Sequence, residues 1–430
     1  MFEVENIKDR VFMVLKKYYI TILLFMIASI KMMEIIYKDN YGMSIDNTSI
    51  KVILTLVTGA ISSVLITSIV DRFNKAKYLY FIIPIIMLLV YFIVLNDINS
   101  PTQLLKYVLL NISFVLIYFS VPFINKSTDS VYFTYKVLIS LALTIFLYQI
   151  IITSILLTLY SISSLFEFTI KEHIFPNIAI FILGFIMPTI FLSLITNKEL
   201  DTKQYPNFIN RILVYVIFPV LTVYTLVLYA YFIKILITFD LPSNNLANLV
   251  LNYSIISVII LYFARNIKDK NIWSNTFIKY YPFDLILPII MMLVAFAVRI
   301  NQYGLTIVRY YGLLVFVFIS ISIILFKLKN KLKYIPLTLA ILLLTSAFGP
   351  LSAMNLSKWS QELRFEAILK ENNMLVDNKI VKNKNISDNT KEQIISILGY
   401  FEYNHKLSDI DILPEGFVID NIEEVFGFRY

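Results

Sequence analysis

The sequence predicts an all-α polytopic membrane protein, a bundle of roughly eleven transmembrane helices followed by a small α+β region. The chain of 430 residues is 58% hydrophobic and only 15% charged, whereas a soluble domain averages about 45–50% apolar and about 25% charged residues. Its mean hydropathy is +0.76. The apolar residues also fall into blocks of roughly twenty, the length of helix that spans about 30 Å of hydrocarbon.

The positions of these blocks predict the individual spans. The eleven predicted spans are 18–36, 50–70, 78–95, 104–124, 135–160, 174–195, 212–237, 247–264, 283–298, 310–326 and 334–349. Basic residues precede the first span, as in a signal peptide, but no small-x-small cleavage site follows, so an uncleaved helix is expected. Five spans contain a proline that should kink the helix without ending it, because neighbouring helices satisfy the freed carbonyls. These prolines are Pro84, Pro122, Pro188, Pro219 and Pro288.

The distribution of Lys and Arg predicts the orientation in the membrane. With the N-terminus inside, the inner segments hold 20 basic residues and the outer connections hold 8. Residues 351–430 carry 9 Lys+Arg and 13 Asp+Glu, a net charge of −4, against 28 and 16, a net of +12, for residues 1–350. We therefore expect a transmembrane domain at 1–350 and an extracytoplasmic C-terminal domain at 351–430, in a bacterial cytoplasmic membrane. The net positive charge marks a cytoplasmic membrane face and does not indicate a nucleic-acid partner.

Short patterns predict the elements of residues 351–430. Four apolar residues recur at helical spacing, namely Leu356, Trp359, Leu363 and Ala367. Ser357 is the expected cap of this helix. Apolar pairs on both sides of Asp377-Asn378 predict a hairpin, and Thr390-x-x-Gln393 fits a capping box before a second helix.

The stretch from Arg299 to Tyr311 is the best candidate for a binding site. It joins two apolar runs at a membrane boundary and contains two arginines ten residues apart. A charged group inside a bilayer is costly unless it reaches the interface or a partner. One hypothesis is that Arg299 and Arg309, helped by Gln302 and Tyr303, bind an anionic lipid or glycan. The alternative is structural, with the arginines against bulk headgroups or against the acidic C-terminal region.

Three other charged positions lie in or beside predicted spans. Lys31 and Glu34 are three residues apart, so they share a helix face and form either an ion pair or a relay. Asp284 begins the ninth predicted span, where it either caps the helix or serves a proton-coupled carrier. Asp39 and Asp46 lie in the first outer loop, a layout similar to that of lipid-linked glycosyltransferases, although the loop 37–49 is short for that class.

The same stretch and the residues that follow it resemble a known family. The residues that carry it are Tyr303-Gly304-Leu305-Thr306, Arg309-Tyr310-Tyr311, Gly349-Pro350, Ser352, Ser360-Gln361 and Arg364. They resemble the domain-of-unknown-function 4153 family of bacterial membrane proteins, most specifically over 283–400. Relatives often carry a carboxylate just after the threonine of this motif, where this chain has Ile307 and Val308. The resemblance implies no activity, and it gives no local acid for Arg309.

Several functions remain open. The absence of cysteine excludes disulfides and thiolate metal sites, and no sequence pattern indicates a catalytic residue, a metal or a cofactor. The first hypothesis is a non-enzymatic envelope sensor or accessory subunit, with a protein partner for residues 351–430. The alternative is a carrier or flippase for an anionic lipid or envelope precursor. The third is a membrane glycosyltransferase. In each case the lipid bilayer is a partner.

Overall fold

We analysed a computed structural model of the chain, which describes residues 4–73, 79–94, 101–120, 130–166, 171, 173–196, 205–238, 244–267, 272–328, 331–377 and 379–429. The chain divides into two compact units. The first comprises Met1–Tyr215, Tyr262–Ile272 and Leu325–Ala340; the second comprises Val216–Leu261, Trp273–Ile324 and Ile341–Tyr430.

The described residues are almost entirely helical. In chain order the helices are α1 (Val4–Lys17), α2 (Tyr19–Asn40), α3 (Asn47–Phe73), α4 (Leu79–Val94), α5 (Pro101–Ser120), α6 (Ser130–Phe166), α7 (Ile174–Phe181), α8 (Met187–Thr196), α9 (Asn207–Ile212), α10 (Phe218–Thr238), α11 (Asn244–Ala264), α12 (Ile272–Asp284), α13 (Ile286–Tyr303), α14 (Ile307–Lys327), α15 (Tyr334–Ala347), α16 (Ala353–Glu371), α17 (Asp388–Asn404) and α18 (Ile422–Phe426).

Eight helical runs are long and apolar enough to cross a membrane. They are Tyr19–Asn40, Asn47–Asp71, Thr102–Ser120, Ser130–Leu165, Ile174–Thr196, Asn207–Thr238, Ile272–Tyr303 and Ile307–Lys327. The other three predicted spans coincide with shorter apolar helices, Ile82–Ile93, Leu249–Ala264 and Tyr334–Ala347. The helical membrane class is therefore confirmed, while the count of eleven and the orientation stay predictions. Several basic residues behind that orientation, among them Lys75, Lys126 and Lys203, lie outside the described residues.

Prolines distort these helices without ending them. Pro84 lies inside α4. Pro188 and Pro219 are each preceded by a π-helical turn, Ile182–Ile186 and Leu213–Ile217. A proline has no N–H to donate, so the carbonyl one turn earlier loses its partner and a wider turn becomes favourable. Pro122 lies outside the described residues.

Buried hydroxyls join helices within each unit. In the first unit, Thr21 on α2 and Ser63 on α3 form a hydrogen bond of 2.6 Å, and apolar side chains line most of a cavity of about 670 Å³. In the second unit, the Tyr281 hydroxyl of α12 donates to the Tyr253 hydroxyl of α11 at 2.8 Å. Tyr253 also bonds Thr225 of α10 at 2.5 Å. Such bonds replace the water that the bilayer excludes, so they hold specific helix pairs together.

Residues 351–429 contain three helices and one small hairpin. Leu375–Val376 pairs antiparallel with Lys379–Ile380, which confirms the predicted hairpin, although Asn378 of its turn lies outside the described residues. The largest core side chains come from α16, α17 and α18. They include Phe365, Leu369, Ile394, Ile397, Phe401 and Phe426, all of which are fully buried. Whether this region is a separate domain stays a prediction.

Two capping predictions in this region were wrong. Ser352, not Ser357, caps α16, and its hydroxyl accepts from the Asn355 N–H at 3.4 Å. Ser387, not Thr390, caps α17, with its hydroxyl accepting from the Thr390 N–H at 3.2 Å. In both cases the helix begins earlier than its apolar pattern, because a serine with an extended backbone stands there to satisfy a free N–H group.

Candidate functional site

The turn between α13 and α14 is much shorter than the sequence indicated. α13 continues to Tyr303 and α14 begins at Ile307, so only residues 304–306 connect them. Arg299 and Arg309 therefore lie in helices, and the predicted connection between them was wrong in extent. Hydropathy could not show this, because polar residues at a helix end keep the same backbone hydrogen bonds as apolar ones.

Gly304 makes this turn possible in two ways. Its φ of +69° lies in the left-handed region, which L side chains rarely adopt. A Cβ atom there would also meet the side-chain nitrogen of Gln361 at 2.7 Å. The backbone therefore approaches α16 more closely than any other residue type would allow.

Side chains of α16 satisfy the backbone of the turn. The Leu305 N–H donates to the Ser360 hydroxyl at 2.8 Å. The Gln361 amide donates to the Tyr303 carbonyl at 2.9 Å and to the Leu305 carbonyl at 3.2 Å. Gln361 is only 2% exposed, so these bonds form away from water, where an unpaired backbone group is costly.

α17 supplies a further contact to the start of α14. The Ile307 N–H donates to the Tyr400 hydroxyl at 3.1 Å. Tyr400 packs beside the His405 ring, with centroids 5.6 Å apart, and His405 Nε2 lies 3.4 Å from the Ser357 hydroxyl. Since Ser357 belongs to α16, α17 contacts both the turn and α16.

Three guanidinium groups surround one aromatic ring at this turn. The Cζ atoms of Arg299, Arg309 and Arg364 lie 6.0, 5.4 and 5.8 Å from the centroid of the Tyr303 ring. These distances are within the range of cation–π attraction. We call these three side chains the arginine cluster. Two of its members come from the membrane helices and one from α16.

Hydrogen bonds orient two members of the cluster. Arg309 donates to the Gly304 carbonyl at 2.8 Å and to the Tyr303 carbonyl at 3.3 Å. Arg364 also donates to the Tyr303 carbonyl, at 3.3 Å. A guanidinium has five N–H donors, so each keeps several that these carbonyls do not use. Arg299 has no hydrogen-bond acceptor within the described part of the chain.

No carboxylate neutralises the arginine cluster among the described residues, since each of the ion pairs found there involves other side chains. Burial lowers the pKa of the Arg364 guanidinium, and the nearby charge of Arg309 lowers it further. Arginine remains protonated despite such shifts. The result is a group of three half-buried positive charges around one ring, with further N–H groups that can donate to an anion.

Sequence reasoning identified only part of this site. Arg299, Arg309 and Tyr303 are brought together as expected, whereas Gln302 is exposed and has no hydrogen-bond partner among the described residues. Arg364 was not predicted as a site residue, although it belongs to the motif that carries the family resemblance. That motif was the available signal, because 61 residues separate Arg364 from Tyr303.

Lys31, Glu34 and Asp46 make local contacts, whereas the predicted cap by Asp284 was wrong. Lys31 and Glu34 form the expected ion pair at 2.8 Å, and Lys38 contacts the same carboxylate at 2.8 Å. Asp284 is the last residue of α12. Leu285 occupies the N-cap position of α13, and no side chain caps that helix. The Asp46 carboxylate accepts from the Thr48 N–H at 3.0 Å, as at a helix start.

The fold and this site define a helical membrane protein with an arginine cluster at a helix–helix turn. The chain belongs to the family described as domain of unknown function (DUF4153), which matches residues 21–383. This confirms the resemblance and extends it well upstream of Arg299. An uncharacterized protein of Pasteurella multocida is 30% identical over 273 residues, which is 62% of this chain. The match covers 46% of that relative, so this chain spans about half of its length. No solved structure matches.

We expect Gly304→Ala to loosen the turn from α16. Gly304 has φ +69° and ψ 174°, a region that is essentially restricted to glycine and costs another residue about 1–3 kcal/mol. Gln361 must also move to admit the new methyl group. Hydrogen exchange at the Leu305 amide should accelerate by roughly tenfold, because about 1.4 kcal/mol corresponds to a tenfold change.

Gly399→Ala is the matched control. Gly399 lies within α17, and a Cβ atom there would meet nothing within 4 Å. Alanine in a helix interior is more favourable than glycine by about 0.5–1 kcal/mol, so this variant should be as stable as the parent or more stable. Equal exchange at Leu305 in Gly304→Ala and the parent would contradict the proposed role of Gly304.

Acidification should weaken the contact between α17 and the turn. Burial lowers the pKa of His405, an effect that Asp409 opposes and Lys358 reinforces. Below a pH of about 6.5 the unfolded histidine gains a proton that the folded one lacks, so stability falls as the pH drops towards the folded pKa. The melting temperature should decline between about pH 7.5 and pH 5.5, and less so in His405→Gln. An identical decline in both proteins would assign the effect to other groups.

Proposed function

We propose that this protein is a non-enzymatic membrane receptor that binds an anionic group at the arginine cluster and transmits occupancy to its C-terminal region. The main support for this proposal is that Arg299, Arg309 and Arg364 converge on the Tyr303 ring. No carboxylate among the described residues pairs with them. We further propose that the membrane is the bacterial cytoplasmic membrane and that residues 351–430 lie on its outer side. In cellular terms this is an envelope sensor or accessory subunit.

Guanidinium chemistry indicates the class of ligand. Arginine donates two parallel hydrogen bonds to phosphate or carboxylate, and such charge-assisted bonds are stronger than neutral ones. Arg309 is close enough to repel both Arg299 and Arg364. An anion between them converts this repulsion into attraction. A lipid phosphate or an acidic glycan supplies that chemistry at a membrane boundary.

The arginine cluster also supplies a route for transmission. Arg364 lies on α16, whereas Arg299 and Arg309 lie on α13 and α14. A ligand that contacts all three binds the state in which α16 is docked against the turn more tightly than any undocked state. Ligand binding therefore stabilises the docked state by the difference between the two affinities. A protein partner that recognises docked α16 would complete the sensor.

Arg299→Gln should reduce anion binding without damaging the turn, because Arg299 has no hydrogen bond to the turn among the described residues while Arg309 and Arg364 do. The parent protein, in nanodiscs that contain phosphatidylglycerol or phosphatidylcholine, should retain the anionic lipid preferentially in native mass spectrometry. Loss of one charge-assisted contact, about 1.5–3 kcal/mol, should weaken this retention by tenfold or more. Inorganic phosphate as competitor separates a free anion from a lipid headgroup.

Arg429→Gln is the matched control for charge removal. Arg429 is exposed and pairs with Glu423 at 2.7 Å, so it tests the loss of one positive charge away from the arginine cluster. Equal lipid retention by Arg299→Gln, Arg429→Gln and the parent would remove the binding role of the cluster.

Occupancy should tighten the contact between α16 and the turn. Phosphatidylglycerol is expected to slow hydrogen exchange at the Leu305 and Ile307 amides, which donate to Ser360 and Tyr400. The expected slowing is about two- to tenfold, the range of one net hydrogen bond. Ser360→Ala should remove the effect at Leu305 and preserve it at Ile307. Tight lipid binding with unchanged exchange at both amides would exclude a sensor and leave a site without transmission.

A carrier or flippase for an anionic lipid or envelope precursor is the second candidate. The π-helical turns before Pro188 and Pro219 favour it, because irregular turns within spans often mark functional sites and hinges. We do not extend the proposal to a glycosyltransferase, because Asp39 lies within α2 and not in a loop, and the Asp46 carboxylate accepts from a backbone N–H at the start of α3.

A further inference from the structure

α16 exposes an apolar face that the protein core does not use. Trp359 is 60% exposed and Leu363 is 47% exposed. These two residues are four apart, and Leu356 and Ala367 extend the same face at helical spacing. We call this set of four residues the α16 stripe. The core-facing residues of the helix are different ones, including Phe365 and Leu369, which are fully buried.

Two sets of hydrogen bonds hold α16 at the edge of the membrane. Ser360 and Gln361 bond the turn that joins α13 to α14, and both of these helices lie in runs long and apolar enough to span a membrane. One turn into α14, the Tyr310 hydroxyl donates to the Leu351 carbonyl at 2.7 Å, just before α16 begins. α16 therefore cannot lie far from the plane in which α13 and α14 end.

The α16 stripe adjoins the side of the helix that faces the ends of α13 and α14. At 100° per residue, Leu356 and Leu363 lie beside Ser360, which contacts the turn. Lys358 lies on a different side of the helix, near the buried residues, and pairs with Glu362 and Asp409 at 3.8 and 3.7 Å. The apolar side of α16 thus adjoins its turn-facing side, and the pair between Lys358 and Asp409 points elsewhere. Glu366 and Lys370, paired at 3.0 Å, flank Trp359 at the same helical spacing. Charged side chains beside a tryptophan fit the headgroup level of a bilayer, where their ends reach water.

We propose that the α16 stripe inserts into the lipid interface at the level of the turn between α13 and α14, with Trp359 among the headgroups and upper acyl chains. Tryptophan is enriched at this depth, because its ring is apolar and its N–H bonds water or headgroups. Val308, in the first turn of α14, is 76% exposed at the same level, as expected of a lipid-facing residue. The proposal is independent of the arginine cluster.

Intrinsic fluorescence tests the proposal directly. The chain has two tryptophans, so Trp273→Phe leaves Trp359 as the sole tryptophan of the full-length protein, and excitation beyond the tyrosine absorption band selects its emission. In phosphatidylcholine nanodiscs the emission should be blue-shifted relative to indole in water. Acyl chains brominated near the headgroup should quench it strongly, and Leu363→Gln in the same background should reduce both the shift and the quenching.

The matched control moves the tryptophan by one residue. Trp273→Phe/Trp359→Phe/Lys358→Trp carries it on the ion-paired side of α16, where bromine should quench much less. Water-like emission from Trp359 with no bromine quenching would overturn the proposal. Blue-shifted emission without bromine quenching would also overturn it, because another protein surface and not lipid would then cover the stripe.

Discussion

The hydrogen-bonding groups of the backbone at the turn between α13 and α14 are the constraint on which this part of the molecule depends. Every helix end leaves N–H and C=O groups that the helix cannot satisfy. Near hydrocarbon, which excludes water, other protein groups must supply the missing hydrogen bonds. Here Ser360, Gln361 and Tyr400 satisfy them from distant parts of the sequence. The arrangement requires a residue without a side chain at Gly304, because the polar head of Gln361 occupies the space of a Cβ atom.

The same geometry concentrates positive charge. Once α16 is held against the turn, Arg364 comes to the ring of Tyr303, where Arg299 and Arg309 already lie. Attraction to the ring and to backbone carbonyls offsets part of the repulsion among three guanidinium groups. Without a carboxylate among the described residues, the remainder is available to an incoming anion. Under the proposed function, stability and recognition therefore oppose each other at this site, because an internal acid would stabilise the turn and block an anionic ligand.

The sequence predicted those features that depend on composition along one segment. Hydropathy located an apolar helix at each predicted span, because apolar length alone determines whether a segment can span. It did not give the helix ends, since Ser130–Leu165 and Ile272–Tyr303 extend well beyond the predicted 135–160 and 283–298. Arg299 and Arg309 stood out because charge is rare at such positions. Arg364 and Gln361 did not, because their roles depend on a contact across about sixty residues. Apolar spacing also could not show which side of α16 is buried. The pattern marks Trp359 and Leu363, which are exposed, whereas Ser357 and Gln361 are buried together with Phe365 and Leu369.

The burial of α16 connects the two proposals. A helix of a soluble protein turns its apolar side inward and its polar side to water. α16 buries Phe365 and Leu369 in this way, but it also buries the Gln361 amide against backbone carbonyls and leaves Trp359 exposed. The proposed position at the membrane boundary accounts for both departures, because the turn accepts the amide and hydrocarbon accepts the tryptophan. Because α16 also carries Arg364, the two proposals together make its position depend on the lipid, the turn and a bound anion. Under them, a change in any one of these shifts the same docking equilibrium, which is the coupling that a receptor requires.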